Sequence, residues 1–225
     1  MFRKYAKTLH LSSTKGKRCL STDEARNLLA GKVYVEEKMD GANVGIIRHA
    51  GGISLQKRNS LVGPSEHEQF DFFNNWALYQ NYEKLMAVPL NHILYGELLY
   101  AVHNIYYDSL PDYVLIFDIW DGHKFLAYPE RKALCEMFGL VSAPLVAEGS
   151  FTKNQVMKLV PAYSRYGQTC EGVVIKRYAK TAYRKAKVVR PEFIKRLDES
   201  EHWSEYQAKK NGTTPIDFME ALNGE

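Results

Sequence analysis

One lysine stands where it could act as an amine nucleophile. Lys38 closes a β-type run directly before a tight Asp40-Gly41 turn, a position from which its side chain can be directed into a cleft. Because only the uncharged amine attacks, such a lysine needs its pKa lowered by desolvation or by nearby positive charge. The basic run around Lys185 and Lys187 could supply that charge. The same four-residue pattern also occurs in exposed hairpins, so further residues are needed to decide its role.

Further motifs follow this lysine in order along the chain. They are Gln56-Lys57-Arg58-Asn59, Tyr95-Gly96-Glu97-Leu98, Leu115-Ile116-Phe117-Asp118-Ile119, Glu171-Gly172-Val173-Val174-Ile175-Lys176 and Lys185-Ala186-Lys187. Together with the lysine turn they resemble the six collinear motifs of the covalent nucleotidyltransferases, a superfamily shared by ATP-dependent ligases and mRNA capping enzymes. Asn43 and the strand that begins at Phe117 are most similar to the RNA ligase 2-like family. The resemblance covers about residues 32–190.

The resemblance implies an ATP-dependent polynucleotide ligase, with RNA favoured over DNA. Lys38 would attack the α-phosphate of ATP, release pyrophosphate and hold AMP as a lysyl-adenylate. AMP would then pass to the 5′-phosphate of a nucleic-acid end, and a 3′-hydroxyl would attack that end, seal the strands and release AMP. Both halves depend on positioning and charge neutralisation, and ATP with Mg²⁺ or Mn²⁺ is the expected cofactor set.

The same resemblance gives roles to the later motifs. Glu171 matches the family's metal-associated carboxylate, and Glu97 would bind the ribose hydroxyl or orient metal-bound water. Phe117 would stack on the adenine, although its apolar neighbours also fit a core position. Lys185 and Lys187 are two residues apart, so on a strand they share a face and could meet the α-phosphate and the leaving pyrophosphate.

Four polar residues complete the predicted site. Arg58 can make bidentate contacts with phosphate or ribose that a lysine cannot copy. By resemblance, Asn43 would help to hold the triphosphate or the metal shell, Asp40 would position the turn or the attacking lysine, and Glu37 would contact the adenine. The alternatives are a turn-stabilising side chain for Asn43, and exposed strand-edge charges for Arg58 and the two strand lysines.

Strands must hold most of these residues, and β-type runs dominate the middle of the chain. The runs lie at residues 32–38, 43–47, 53–58, 92–100, 113–120, 172–177 and 184–189. The first three predict an antiparallel meander and the last two predict a hairpin. Since strands and helices do not alternate strictly, we expect an α+β fold. The resemblance implies a single nucleotidyltransferase (ATP-grasp-like) domain with two packed antiparallel sheets, peripheral helices and a nucleotide cleft between the sheets.

Local signals place helices around these strands. The signals are possible capping boxes at Ser21-Thr22-Asp23-Glu24 and Ser65-Glu66-His67-Glu68, a start at Pro129 with a stop at Gly139, and a start after Thr152. We place the nucleotidyltransferase domain at residues 1–190 and a short helical C-terminal extension, on the same domain, at 191–225. Only 38 residues follow Lys187, fewer than the roughly 50 of a small domain, so no OB domain is expected there. This brevity favours the RNA ligase branch over capping enzymes.

Composition is compatible with a nucleic-acid partner but does not require one. The 225 residues include 30 Lys plus Arg against 26 Asp plus Glu, a net charge of +4. Three widely spaced cysteines argue against a disulfide framework and a cysteine-rich zinc site. No apolar run resembles a membrane span or a signal peptide, so we expect an intracellular, cytoplasmic protein. We also expect a monomer, to which a repair partner could add a further surface.

Three classes of function remain open at this point. The first is the ATP-dependent RNA ligase, with a minimal DNA or mixed-substrate nick ligase as a variant. The second is a GTP-dependent RNA guanylyltransferase, which GTP rather than ATP would label. The third is a non-enzymatic relic of the fold that binds nucleic acid in a salt-sensitive way and never acquires a label.

Overall fold

Nine strands form two sheets in the part of the chain that the structure describes. The computed structural model describes residues 2–12, 17–63, 67–179, 182–194 and 209–213. The strands are β1 (Val33–Glu37), β2 (Ala42–His49), β3 (Gly52–Lys57), β4 (Ile93–Leu98), β5 (Val114–Trp120), β6 (Val141–Ser142), β7 (Leu145–Gly149), β8 (Gly172–Ala179) and β9 (Ala182–Val189). The first sheet has the order β7-β1-β8-β9 and the second the order β3-β2-β4-β5-β6. The predicted α+β fold with two sheets is confirmed. The sheets are not both fully antiparallel, because β6 pairs with β5 in parallel.

The helices flank these sheets. They are α1 (Thr22–Leu29), α2 (Glu68–Asn75), α3 (Tyr82–Ala87), α4 (Tyr128–Met137) and α5 (Lys153–Lys158), and a π-helix (Trp76–Gln80) links α2 to α3. The capping box at Ser21 is confirmed, since its hydroxyl accepts a hydrogen bond from the Glu24 backbone at 3.2 Å. The helices expected at Pro129 and after Thr152 are also present. His67 caps α2, and Ser65 lies outside the described residues.

The meander predicted for residues 32–58 is wrong in its first strand. β2 and β3 pair as expected, but β1 lies in the other sheet between β7 and β8. Asp40-Gly41 is therefore a crossing between the sheets and not a hairpin turn. A side chain at Gly41 would meet backbone, because a Cβ there would lie 2.3 Å from the carbonyl oxygen of Leu98. Strand propensity does not specify a partner, and Val33 pairs with Gly149, far along the chain.

Each sheet has its own apolar core, and a third cluster joins the two sheets. The first sheet contributes Val35, Ile175 and Val188 to a core with Leu28 of α1 and Val156 of α5. The core of the second sheet contains Val44, Ile46, Leu94, Ile116, Phe73 and Trp76. The joining cluster contains Met39, Leu99, Tyr107, Leu115, Val189 and Phe193. Because Met39 follows Lys38 directly, the lysine lies where the two sheets meet.

A segment at the N-terminus, residues 2–11, connects the two sheets a second time. At one end, the Arg3 carbonyl accepts hydrogen bonds from the Gln56 side chain and the Tyr95 hydroxyl, each at 2.9 Å, in the second sheet. At the other end, Leu11 N–H donates to the Lys187 carbonyl at 2.9 Å, on β9 of the first sheet. We call residues 2–11 the N-terminal strap.

Only part of the predicted C-terminal extension lies within the described residues. Residues 191–194 form a helical turn in which Phe193 is buried. Residues 209–213 are not helical, and the Asn211 side chain bonds the Leu99 carbonyl and the Tyr107 N–H at 2.8 Å each. The rest of the predicted helical extension lies outside the described residues. The domain boundary at residue 190 stays a prediction.

All three cysteines are free thiols. Cys135 and Cys170 are buried, whereas Cys19 is exposed and pairs with His10 of the strap through a β-bridge. Among the described residues, no helix combines the length and the apolar character that a membrane crossing needs.

Candidate active site

The cleft between the sheets contains a cavity of about 980 Å³, here called the central cavity. The predicted site residues that line it are Glu37, Lys38, Asp40, Asn43, Arg58, Glu97, Phe117, Glu171 and Lys187. This set is every predicted site residue except Lys185. Strand alternation explains the arrangement, because Val174 and Lys187 line the cavity while Val173 and Val188 belong to the core.

Lys38 is held against Glu171 at the start of β8, where Gly172 bonds the residue after β1 and pairs with β9. Its Nζ lies 2.5 Å from Glu171 Oε2, and its backbone N–H donates to the Gly172 carbonyl at 2.9 Å. A glycine is needed at residue 172, since a Cβ there would lie 2.0 Å from the Val188 carbonyl oxygen. The close approach of the two strands at Gly172 therefore fixes both members of the Lys38–Glu171 pair.

The pKa of Lys38 does not follow the sequence-based expectation. Burial lowers this pKa, but three carboxylates outweigh burial and leave it above its usual value. These carboxylates belong to Glu171, Glu97 and Asp40. The lowering expected from the basic strand is therefore wrong for the ligand-free protein. Instead, burial and the charge of Lys38 lower the pKa of Lys187 to about 8. Lys38 is held in the charged form, which is not nucleophilic, until bound groups change this balance.

Glu97, which is half-buried, and Glu171, which is buried, form a pair of acids beside Lys38. Burial raises the pKa of Glu97 to about 7, an effect that Lys38 opposes and the charge of Glu171 increases. Burial also raises the pKa of Glu171. No group of three or more metal-binding side chains is arranged around an ion site within the described residues. Mg²⁺ binds through one or two carboxylates with water and phosphate oxygens, and a cation would remove the repulsion between these acids. The pair therefore fits a divalent metal.

Asp40 fixes a loop beside the central cavity. Its Oδ2 accepts hydrogen bonds from the backbone N–H groups of Asn104 at 2.6 Å and Ile105 at 3.0 Å. Its own N–H donates to the Tyr107 hydroxyl at 2.8 Å. These three bonds hold the crossing between the sheets in place. The arrangement agrees with a positioning role for Asp40 toward the turn and Lys38.

Two buried oxygen atoms in the cavity wall have no hydrogen-bond donor among the described residues. They are Glu37 Oε1 and Asn43 Oδ1. The other carboxylate oxygen of Glu37 accepts a bond from the Arg165 backbone at 3.0 Å, which fixes the side chain. A buried acceptor without a donor costs about 1–3 kcal/mol, so a ligand with amino or hydroxyl groups would relieve both atoms.

The comparison with protein families decides between the branches of the superfamily. A model of the RNA ligase family matches residues 31–190, a range that includes the whole predicted site. The chain belongs to the RNA ligase family. Among curated proteins, a search finds no matching relative of this RNA ligase family member.

Solved structures of an RNA ligase from Naegleria gruberi share the fold. A mutant with ATP and Mn is 18% identical with a TM-score of 0.65, and the match covers 88% of this chain and 59% of that chain. A mutant with AMP and Mn is 17% identical with a TM-score of 0.64, over 88% and 59%. A mutant without ligand is 17% identical with a TM-score of 0.60, over 78% and 54%. The chain thus spans little more than half of the Naegleria protein, and the likeness is one of fold.

Lys185 is the predicted site residue that does not line the central cavity. Tyr5 of the N-terminal strap covers it, with the Lys185 Nζ 3.1 Å from the centroid of the Tyr5 ring. Burial lowers the pKa of Lys185 to about 7, although Asp118 opposes the shift. The motifs contain no information on this contact, because Tyr5 precedes the range that the family model matches. The predicted contact of Lys185 with ATP is not supported by this arrangement.

A buried network of four charges forms part of the cavity wall, which Glu36 and Lys176 line, and the sequence motifs do not predict it. Lys176 Nζ lies 3.0 Å from Glu36 Oε2 and 3.3 Å from Asp118 Oδ1. Arg131 Nη2 lies 3.0 Å from Glu36 Oε2. All four side chains are almost fully buried. Lys176 Nζ also lies 5.4 Å from the centroid of the Phe117 ring, so the network supports one end of the cavity. We call Glu36, Asp118, Arg131 and Lys176 the buried charge network.

Asp118 and Lys176 belong to the motifs quoted from the sequence, but nothing in those motifs indicates their partner Arg131. Arg131 lies on α4 with buried Tyr128 three residues before it and buried Cys135 four residues after it, a spacing that places all three on one helix face. An arginine with no visible partner in sequence is usually a surface residue. The helical spacing of Arg131 and the position of Glu36 beside the valines of β1 were the available signals of a buried network.

Proposed function

We propose that the chain is an ATP-dependent RNA ligase that joins a 3′-hydroxyl to a 5′-phosphate through a covalent lysyl-adenylate. The observation that carries this proposal is the Lys38–Glu171 pair inside a cavity also lined by Phe117 and Lys187. An amine, a carboxylate, an aromatic ring and a cation together suit nucleotidyl transfer. Membership of the RNA ligase family supports the same activity. So does the fold shared with the Naegleria enzyme, whose structures contain ATP or AMP with Mn.

In the first step, Lys38 Nζ would attack the α-phosphorus of ATP, form a nitrogen–phosphorus bond and release pyrophosphate. The amine must lose a proton before it attacks. Glu171 Oε2 accepts a hydrogen bond from this amine, so this carboxylate is placed to take the proton. Lys187 would neutralise charge on the phosphates, and Arg58 could bind phosphate or ribose in a bidentate way.

The nucleoside would lie between the two sheets. Phe117 lines the cavity and would stack on the adenine. Glu37 Oε1 and Asn43 Oδ1 would accept hydrogen bonds from the amino and hydroxyl groups of the nucleotide, which would satisfy both buried atoms. Glu97 would accept a hydrogen bond from the ribose or bind metal-bound water.

Glu97 and Glu171 would hold Mg²⁺ or Mn²⁺ together with water and phosphate oxygens. A divalent cation at this place supplies positive charge that neutralises the triphosphate and disfavours the charged form of Lys38. The cation would thus oppose the effect of the carboxylates, which favour the charged amine of Lys38 in the ligand-free protein.

In the later steps, AMP would pass from Lys38 to the 5′-phosphate of a nucleic-acid end, and a 3′-hydroxyl would then displace AMP. We propose RNA ends in preference to DNA ends as the substrate. We further propose that the chain acts as a monomer in the cytoplasm. Gel assays with nicked RNA, nicked DNA and single-stranded RNA would rank the substrates.

The test of the first step is transfer of label from α-labelled ATP to the protein. We expect an acid-labile label that needs Mg²⁺ or Mn²⁺, and no label on Lys38→Ala or Lys38→Arg. Lys153→Ala is the matched control, because Lys153 is exposed on α5, which packs on the first sheet's apolar core. Label retained by Lys38→Ala would refute the assignment of the nucleophile. Labelling by GTP in place of ATP would indicate a guanylyltransferase instead.

A further inference from the structure

A second, smaller cavity of about 270 Å³ adjoins the central cavity. The residues that line it are Lys7, Thr8, His10, Lys17, Arg18, Lys187, Val189 and Ile194. Lys7, Thr8 and Lys187 line both cavities, so the two are contiguous. Four of the lining residues are lysine or arginine, and none of those described is an aspartate or glutamate. We call this second cavity the basic pocket.

The N-terminal strap builds the basic pocket. His10 forms β-bridges with both Lys187 of β9 and Cys19, and its N–H donates to the Arg18 carbonyl at 3.1 Å. Leu20 N–H donates back to the His10 carbonyl at 2.8 Å. The strap therefore lies between β9 and residues 18–20, which brings Lys7, Lys17 and Arg18 beside Lys187. Lys7, Lys17 and Arg18 come from a part of the chain that precedes the range matched by the RNA ligase family model.

Positive charge accumulates at this place. Burial and the nearby charges of Lys187 and Lys17 together lower the pKa of His10 to about 4. The charge of Lys7 also contributes to the low pKa of Lys187. A bound anion would be attracted by this concentration of positive charge.

The residues shared by the two cavities indicate which anion fits. Phe117, Lys176 and the Lys38–Glu171 pair all line the central cavity. Lys187 lies beside this pair and also lines the basic pocket. If the α-phosphate lies at Lys38, the groups attached to it lie beside Lys187 and can reach the basic pocket.

We propose that the basic pocket is a phosphate-binding subsite for the group attached beyond the α-phosphate of the nucleotide at Lys38. This inference rests on the proposed function. In the first step the occupant would be the leaving pyrophosphate, and in the second step it would be a phosphate of the RNA strand that receives AMP. The shared chemistry is a phosphate held by lysine and arginine side chains.

The double variant Lys17→Gln/Arg18→Gln tests the subsite. Neither residue belongs to the predicted catalytic set. Lys153→Gln/Lys158→Gln is the matched control, since it removes the same charge from the exposed surface of α5. Two quantities are measured for each protein: inhibition of lysine labelling by inorganic pyrophosphate, and transfer of AMP from the labelled enzyme to a 5′-phosphorylated RNA oligonucleotide.

We expect the basic-pocket variant to lose at least about tenfold in one of these quantities relative to the control variant, as removal of charged hydrogen bonds predicts. Weaker pyrophosphate inhibition would identify the leaving group as the occupant. Slower transfer with unchanged inhibition would identify the RNA phosphate. No difference between the two double variants in either quantity would overturn the proposal.

Failure of the proposed function gives a different result. If the wild-type protein takes no label, the ligase proposal fails, but calorimetric titration with inorganic tripolyphosphate still tests the pocket. Binding that is lost in Lys17→Gln/Arg18→Gln and kept in Lys153→Gln/Lys158→Gln would retain the phosphate subsite. Equal binding of tripolyphosphate by both double variants would refute the phosphate subsite.

Discussion

Substitution of Asp118 by asparagine should destabilise the protein strongly, although the two side chains have almost the same shape. Asp118 is fully buried in the buried charge network, where two carboxylates balance Arg131 and Lys176. It also accepts hydrogen bonds from the hydroxyls of Tyr178 at 3.1 Å and Tyr183 at 2.6 Å, and from Tyr5 of the strap. A neutral amide in place of this carboxylate would leave one buried positive charge without its partner.

The magnitude follows from that uncompensated charge. Breaking a buried ion pair by removal of one partner costs about 3–5 kcal/mol, a large part of a typical stability of about 5–15 kcal/mol. The control is Asp23→Asn. Asp23 pairs with Arg26 at 2.7 Å, but the two side chains are 79% and 73% exposed. Removal of this exposed pair should cost no more than about 1 kcal/mol.

Urea unfolding at pH 7, followed by tryptophan fluorescence, measures both effects. The double variant Asp118→Asn/Lys176→Met restores the charge balance, so its loss of stability should be smaller than the sum of the two single losses by at least about 1 kcal/mol. An Asp118→Asn variant within about 1 kcal/mol of wild type would refute the reasoning, and so would simple additivity in the double variant.

Two further predictions concern the site itself. Gly172→Ala should cost about 1–3 kcal/mol and reduce labelling of Lys38 at least tenfold, because the new methyl group would meet the Val188 carbonyl and displace Glu171. Urea unfolding measures the stability loss, and labelling with α-labelled ATP measures the activity loss. Gly51→Ala is the control, because a Cβ there meets no atom closer than 3.4 Å. Normal labelling of Gly172→Ala would contradict the prediction. Glu97→Gln should abolish metal-dependent labelling yet stabilise the metal-free protein at pH 9. Because the pKa of Glu97 in the folded protein is raised to about 7, protonation of Glu97 stabilises the fold. This stabilisation is complete below the unfolded pKa of about 4.3 and is lost as pH rises through 7. In EDTA, the free energy of unfolding of Glu97→Gln should therefore exceed that of wild type by about 1–3 kcal/mol at pH 9 and equal it at pH 4. Equal stability of the two proteins at pH 9 would count against this prediction.

The parts of the fold that depend on neighbours in sequence were predictable. The Ser21 capping box, the helix at Pro129 and the hairpin of β8 and β9 are each specified by residues a few positions apart. The lysine motif was also informative, because ordered motifs placed Lys38 and Glu171 in one cavity although 133 residues separate them.

Contacts between distant segments could not be predicted from one sequence. The partners of β1 lie beyond residue 144, so its Val-Tyr-Val sequence indicated a strand but not the sheet that contains it. Tyr5 covers Lys185 from a segment without a recognisable motif. The pKa of Lys38 is raised by three carboxylates that the fold brings together. The basic run around Lys185 and Lys187, visible in the sequence, had predicted a lowered pKa.

Because the three cysteines differ in burial, a single one of them can carry a fluorescent probe of the basic pocket. Burial raises the pKa of Cys135 and of Cys170 to about 12, so at neutral pH these side chains hold almost no reactive thiolate. Cys19 is exposed and follows Arg18, which lines that pocket. A maleimide dye would therefore attach to Cys19 in the unaltered sequence, and changes in its emission would follow anions as they arrive and leave.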